Sequence, residues 1–139
     1  MKNLSILIVE DDQGQAVNVE RVLDSNYLEP HHVNYYFAKD HEELVDRLQS
    51  LHCDIAVVDF DLNESGNWML DAAETAFKIS KYQPSCFKVG LSFSGVLEAI
   101  RMNDSFNLEK LYLLILERGR FLEGEYRELL RERFKQAGL

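Results

Sequence analysis

Short apolar runs alternate with segments whose apolar residues return every three or four positions, and the alternation repeats five times along the 139 residues. Residues 4–9 (LSILIV), 33–38 (VNYYFA), 54–58 (DIAVV), 87–91 (FKVGL) and 111–116 (LYLLIL) read as strands. Their β-branched, leucine-rich content suits strands covered on both faces, as in a parallel sheet. Gly90 weakens the fourth of them. Helical spacing follows each run. Ala16, Val19, Val22 and Leu23 predict a helix over 15–26, and Pro30 marks the loop after it. Asp40 with Glu43 reads as a capping pair ahead of an apolar face of Leu44, Val45, Leu48 and Leu51. Leu70, Ala73 and Phe77 predict a helix that ends before Pro84; Val96, Leu97, Ile100 and Arg101 predict a short one. Residues 125–136 predict an amphipathic helix with Tyr126, Leu129, Leu130 and Phe134 on its apolar side. The pattern is least regular over 101–124. Five such units predict an α/β fold: a doubly wound, five-stranded parallel sheet with helices on both faces.

Composition narrows the function. At this length one domain is expected, with about two thirds of the unfolded surface buried. Lys and Arg number 15 against 24 Asp and Glu, a formal charge of −9. Such a surface repels phosphate backbones, so direct nucleic-acid binding is not expected, whereas cations and basic partners are favoured. Cys53 and Cys86 each adjoin an apolar run and read as buried free thiols rather than a disulfide. His31 and His32 lack the partners of a zinc site. The opening MKNLSILIVEDD is no secretory leader, and no apolar run is long enough to insert in a membrane. The chain reads as a soluble cytoplasmic protein.

The positions of the acids carry the chemistry. Glu10, Asp11 and Asp12 follow the first strand directly, and Asp59 and Asp61 follow the third. Ligands of open parallel sheets sit beyond the carboxyl ends of the strands, and strands one and three are neighbours in a flavodoxin-like order. Carboxylates gathered there repel one another, and a hard divalent cation removes that cost; oxygen donors on loops favour Mg2+ or Mn2+ over zinc. The alternative is that these acids are solvated or cap helices. Ser92 ends the fourth strand, where its hydroxyl can meet a phosphoryl oxygen. Lys110, Arg118 and Arg120 are candidates for a balancing cation.

These motifs, ILIVEDD (Ile6 to Asp12), DIAVVDFDLNESG (Asp54 to Gly66) and KVGLS (Lys88 to Ser92), resemble the receiver domain of two-component response regulators over nearly the whole chain. The resemblance implies the flavodoxin-like (CheY-like) fold in a single domain over 1–139 with no output domain. It implies Mg2+ held by Asp11 and Asp59, with Glu10 acting through water and the Asp61 main chain completing the set. Asp12 matches the residue after the acid pair. Asp59 is the implied phosphoacceptor and Ser92 the implied hydroxyl. The implied partners are a sensor histidine kinase or phosphotransfer protein and an unknown downstream protein; the role is signalling rather than enzymatic, with at most autophosphatase activity. Departures are equally specific. Asn63 stands where the family has Pro, Gly66 comes one residue early, and bulky Phe93 follows Ser92. The family's Lys-Pro pair is absent: Lys110 precedes Leu111 and the predicted fifth strand, and Arg118 is the nearest cation after it. A gating Phe93 would restrict donor and water at Asp59; otherwise it packs outward against the fourth helix. Two further readings follow: a phosphorylation-independent pseudo-receiver that acts as an interaction module, and a haloacid-dehalogenase-like phosphatase suggested by VVDFDLN. The second leaves Glu10 and Asp11 unexplained.

Overall fold

A computed structural model describes residues 3–28, 31–62 and 65–139. Pro30 and Asn63, both singled out in the sequence, lie outside the described residues. The chain runs β1 (Asn3–Val9), α1 (Gln13–Val22), a π-helical turn (Leu23–Tyr27), β2 (His32–Ala38), α2 (His41–Ser50), β3 (Ile55–Asp59), α3 (Trp68–Tyr82) and β4 (Phe87–Ser92). It continues with α4 (Val96–Met102), α5 (Leu108–Leu111), β5 (Leu114–Glu117), α6 (Arg118–Leu122) and α7 (Arg127–Gln136). The five strands form one sheet in the order β2-β1-β3-β4-β5, every pairing parallel. This is the expected doubly wound sheet. It puts the ends of β1 and β3 side by side, at the point where the strand order reverses.

Strand alternation divides the core. Leu7, Val9, Ala56 and Val58 face α2, α3, α4 and α5, where Leu44, Leu48, Ala73, Ala76, Ile79 and Ile100 pack on them. Ile6, Ile8, Ile55, Val57, Val89 and Leu91 face α1, α6 and α7, where Ala16, Val19, Phe121, Leu130 and Phe134 meet them. Both sheet faces are therefore dry, which is why the strands read as continuous apolar runs. The capping pair forms: Glu43 N–H donates to Asp40 Oδ1 at 2.9 Å, while Glu43 Oε1 takes the Lys39 N–H at 3.1 Å.

Three expectations need correction. The run 111–116 is not one strand. Leu111 closes α5, and Tyr112 turns inward to give its hydroxyl to the Ala72 carbonyl at 2.7 Å, so β5 begins only at Leu114. Leu108, Leu111 and Tyr112 sit at helical spacing, which a continuous apolar run conceals. On α3 the buried ridge is Ala72, Ala73, Ala76 and Ile79, and Phe77 is turned out, 59% exposed. Small residues let α3 lie close to the sheet, leaving no room for a phenyl ring there. The predicted helix over 15–26 starts earlier, at Gln13, because Asp12 caps it, and it ends as a helix at Val22 before the π-helical turn.

Gly90 is a packing requirement rather than a weakness. A Cβ there would overlap the fully buried Phe60 ring. That ring stacks on Trp68 at 6.0 Å and meets Tyr112 edge-on at 4.9 Å. No helix among the described residues is long and apolar enough to cross a membrane.

Candidate functional site

The acids after β1 take three different parts. Asp12 caps α1 by accepting the Gln15 N–H at 3.0 Å. Asp11 is exposed. Glu10 folds inward, and its Oε1 accepts the Asp12 N–H at 3.2 Å. Asp59, the last residue of β3, is buried beside it: Glu10 is 6% and Asp59 5% exposed. The Asp61 N–H donates to Asp59 Oδ1 at 3.1 Å. One oxygen each from Glu10, Asp11 and Asp59 lies within 4.8 Å of the others. These are hard donors, the set that suits a small divalent cation.

Arg118 closes this cluster from the far side. It is the first residue of α6, directly after β5. Its Nη2 pairs with Asp59 Oδ1 and lies 3.6 Å from Asp61 Oδ2 and 3.9 Å from Glu10 Oε2. A single guanidinium nitrogen so placed lies within ion-pair distance of three carboxylates. Burial pushes the Glu10 carboxyl up to about 8, helped by its hydrogen bond with Asp59 and by the Asp59 charge. Burial also raises Asp59, against the lowering effects of the Glu10 hydrogen bond, the Asp61 N–H and the Arg118 charge. Both carboxyls are thus pushed toward the neutral form by burial, and Arg118 is the group that favours the anion at Asp59.

Two buried polar atoms at this end have no hydrogen-bond partner among the described residues: Ser92 Oγ and Arg118 Nε. Ser92 ends β4, one position beyond the Leu91 that stands opposite Asp59 in the ladder. Two hollows adjoin here. One, of about 430 Å³, is lined by Glu10, Asp11, Asp12, Gln15, Asp59, Asp61 and Arg118. The other, of about 550 Å³, includes Ser92, Phe93 and Ser94 and shares Gln15, Asp61 and Arg118 with the first. Arg118 thus stands on the boundary between the acids and the serine. Phe93 stands on the rim of the second hollow. Its ring meets Trp68 of α3 edge-on at 5.2 Å.

The other cation candidates are elsewhere. Lys110 is exposed on α5, ahead of β5 and so at the opposite end of the sheet. Arg120 pairs with Glu125 at 3.5 Å and lies over the Tyr126 ring. Two positioning acids escaped the sequence reading. Asp71, buried in the first turn of α3, takes the Ser65 N–H on both oxygens at 3.1 and 3.2 Å and so anchors the loop after Asp59. Glu117, opposite Ser92 in the ladder, accepts the Gly95 N–H at 2.7 Å and ties down the turn after β4. Gly95 has φ of 83°, a left-handed conformation that favours glycine. A carboxylate in the first turn of a helix was the available signal for Asp71; nothing in the spacing marked Glu117.

No protein-family model and no curated protein sequence matches the chain. Solved structures do. The beryllofluoride-activated DrrB receiver domain superposes with a TM-score of 0.64 at 16% identity, covering 96% of each chain. A response regulator receiver domain protein from Clostridium thermocellum gives 0.61 at 15%, over 96% of this chain and 98% of that one. A response regulator from Burkholderia pseudomallei, with a phosphorylated aspartic acid, calcium ion and citrate, gives 0.61 at 14%, over 97% of this chain and 71% of that one. The class is a flavodoxin-like doubly wound domain. Within that class, the fold is that of response regulator receiver domains.

Proposed function

We propose that the chain is an atypical receiver whose Asp59 accepts a phosphoryl group from the phosphohistidine of a sensor kinase or phosphotransfer protein. The observation that carries this reading is the pair of unpartnered buried atoms, Ser92 Oγ and Arg118 Nε, at the same sheet end as Asp59. Buried donors normally have partners, and leaving one without costs about 1–3 kcal/mol. A phosphoryl group on Asp59 would offer oxygens to both. In the step itself an Asp59 carboxylate oxygen attacks phosphorus, the P–N bond breaks, and the imidazole leaves. Arg118 exchanges its pairing with Asp59 for one with the phosphoryl oxygens, which guanidinium groups match well. Ser92 donates to a third oxygen. Because Glu117 and Ser92 face each other in the ladder, that hydrogen bond reaches the turn after β4 and alters a surface a partner protein can read.

Glu10, Asp11 and Asp59 are the residues that would hold Mg2+, with the Asp61 main chain completing the set. When bound, Mg2+ would screen the charge that builds on the transferred phosphoryl oxygens. Arg118 is a tethered cation on the same carboxylates, so divalent affinity is set by competition with it.

The test is acetyl phosphate with Mg2+ followed by intact-mass measurement. One phosphoryl adduct on the wild type and none on Asp59→Asn is the expected result. Arg118 also supports a second reading. A guanidinium already neutralises Asp59, which is what a phosphorylation-independent interaction module needs. Wild type and Arg118→Lys that both stay unlabelled would establish that reading and overturn the first.

A further inference from the structure

The two cysteines meet at the amino end of the sheet, away from the acids. Cys53 precedes β3 and Cys86 precedes β4, and the register of these neighbouring strands sets Ile55 opposite Phe87. That register brings together residues 33 apart in sequence, with Sγ to Sγ at 3.3 Å. Cys53 is 5% and Cys86 4% exposed. Gln83 holds both. Its side-chain oxygen accepts the Cys53 N–H at 2.7 Å, and its main-chain carbonyl accepts the Cys86 N–H at 3.1 Å. A hollow of about 360 Å³, lined by His52, Gln83, Pro84 and Ser85 among others, opens onto the two sulfurs.

We infer that Cys53 and Cys86 form a reversible disulfide in response to a small peroxide oxidant, tethering β3 to β4. Bond formation needs an approach of little more than about 1 Å from the present contact. Both cysteines lie in the links before their strands, so the sheet ladder is not broken by that movement. A metal is the poorer occupant: two thiols are too few for a closed thiolate site, and the nearby His52 ring is already held by Asp54 at 2.9 Å.

The order of events follows from who donates to whom. The Cys86 S–H donates to Cys53 Sγ. That hydrogen bond and burial both push the Cys86 thiol up, so Cys86 keeps its proton. The Cys53 S–H donates to the Ile55 carbonyl at 3.1 Å, and Cys53, the sulfur that accepts from Cys86, is assigned the first attack. The Cys53 thiol gives up its proton to solvent as its sulfur attacks one oxygen of hydrogen peroxide, the O–O bond breaks, and a sulfenic acid forms while the departing hydroxide takes up a proton and leaves as water. Cys86 sulfur then attacks Cys53 sulfur, the S–O bond breaks, and water leaves carrying the Cys86 proton. In sum, two thiols are oxidised to a disulfide and one peroxide is reduced to two waters. A small dithiol reverses the change by exchange, itself becoming a disulfide.

This inference is independent of phosphoryl transfer at Asp59. The test treats the folded chain with hydrogen peroxide, then unfolds a portion in guanidinium and blocks remaining thiols with N-ethylmaleimide for intact mass, while a second portion is kept folded for melting. The expected product has lost two hydrogens, takes up no maleimide, and yields one cross-linked peptide pair containing Cys53 and Cys86. Closing a loop of this length raises the melting temperature by about 5–10 °C, and dithiothreitol restores the original value. Cys53→Ser should remove the cross-link and leave Cys86 open to maleimide; Cys86→Ala provides the same check should that variant fold poorly. Two maleimides on the peroxide-treated native chain would overturn the inference. So would added oxygen on one sulfur without a cross-link, or linkage only between two chains.

Discussion

The two ends of the sheet handle buried polarity in opposite ways. At the amino end no buried side-chain nitrogen or oxygen among the described residues lacks a partner. Gln83 takes the Cys53 N–H and gives its amide hydrogens to the Leu48 and Leu51 carbonyls, and Asp54 takes the Ser5 N–H at 2.8 Å while holding His52. At the carboxyl end two carboxyls are buried side by side, both shifted upward, and Ser92 Oγ and Arg118 Nε have no partner among the described residues. Backbone geometry permits either arrangement at either end. The contrast therefore locates where the chain accepts a stability cost, and such costs collect at functional sites.

If that contrast is right, substitutions at the two ends shift stability in opposite directions. The largest effect is expected from Gln83→Ala. It leaves the Cys53 N–H and the Leu48 and Leu51 carbonyls at the end of α2 without their partner, a loss of about 2–4 kcal/mol summed over three bonds. Urea denaturation measures it, and a change within experimental error would mean that the amino end is not the satisfied end. Glu10→Gln should act the other way in metal-free buffer. The folded Glu10 titrates at about 8 against an ordinary 4.5. Raising the pH through that window must ionise a carboxyl the fold prefers neutral, so the native state loses stability as pH rises from 4.5 toward 8. The neutral amide escapes this loss. Its gain over wild type should be small at pH 5 and grow steadily as the pH rises toward 8. Asp59→Asn should stabilise the metal-free chain for the same reason; a lower melting temperature there would count against crowded buried acids.

Much of this architecture can be read from the chain alone, because a strand buried on both faces announces itself as an apolar run and its last residue fixes where the next polar group falls. Glu10, Asp11 and Asp59 come together for that reason. The cation did not follow as simply. Lys110 and Arg118 flank LYLLIL, and only the chain order points to Arg118; where the strand begins inside the run is hidden because Tyr112 is as buried by α3 and its neighbours as Leu116 is by the sheet. Phe77 shows the same limit on a helix: its spacing suits the apolar face, but alanines bring α3 too near the sheet for a ring. Gly90 reads as a poor strand residue until Phe60 is seen lying on it. Contacts made across the fold, such as Cys53 with Cys86 or Glu117 with Gly95, leave no local periodicity to find.

The boundary position of Arg118 gives the next prediction. If it competes with a divalent cation for the same oxygens, Arg118→Gln should bind Mg2+ about tenfold more tightly than wild type, equivalent to about 1.4 kcal/mol. Trp68 fluorescence or calorimetry reads this without any phosphodonor. Arg118→Lys separates charge from occupancy. A lysine that tightens binding as much as glutamine does points to the fork occupying the oxygens; a lysine that leaves affinity unchanged points to charge alone. Equal affinity in all three proteins would sink the competition.

The smallest effect concerns Phe93, where the two hollows and the aromatic contacts meet. Its ring is partly exposed and touches Trp68 edge-on, a contact worth about 0.5–1.5 kcal/mol beyond its buried area. Phe93→Ala should therefore lower stability by only about 1 kcal/mol, well short of a lost core ring. It should also alter Trp68 emission, because the indole loses the neighbour on its exposed side. The informative quantity is a rate. Phe93 lines the hollow that holds Ser92 and borders Arg118, so a gating ring slows both the arrival of a small phosphodonor and the entry of water. Removing it should then quicken labelling of Asp59 by acetyl phosphate and quicken loss of the label together, because in-line attack in both directions needs the same open space. Ser92→Ala should slow labelling, since it withdraws the buried unpartnered hydroxyl of Ser92. A Phe93→Ala protein with both rates unchanged, but with the Trp68 emission and the small stability loss as expected, makes the ring a clasp between α3 and the turn after β4. The difference between the two ends of the sheet would then rest on the buried acids, Arg118 and Ser92, without Phe93.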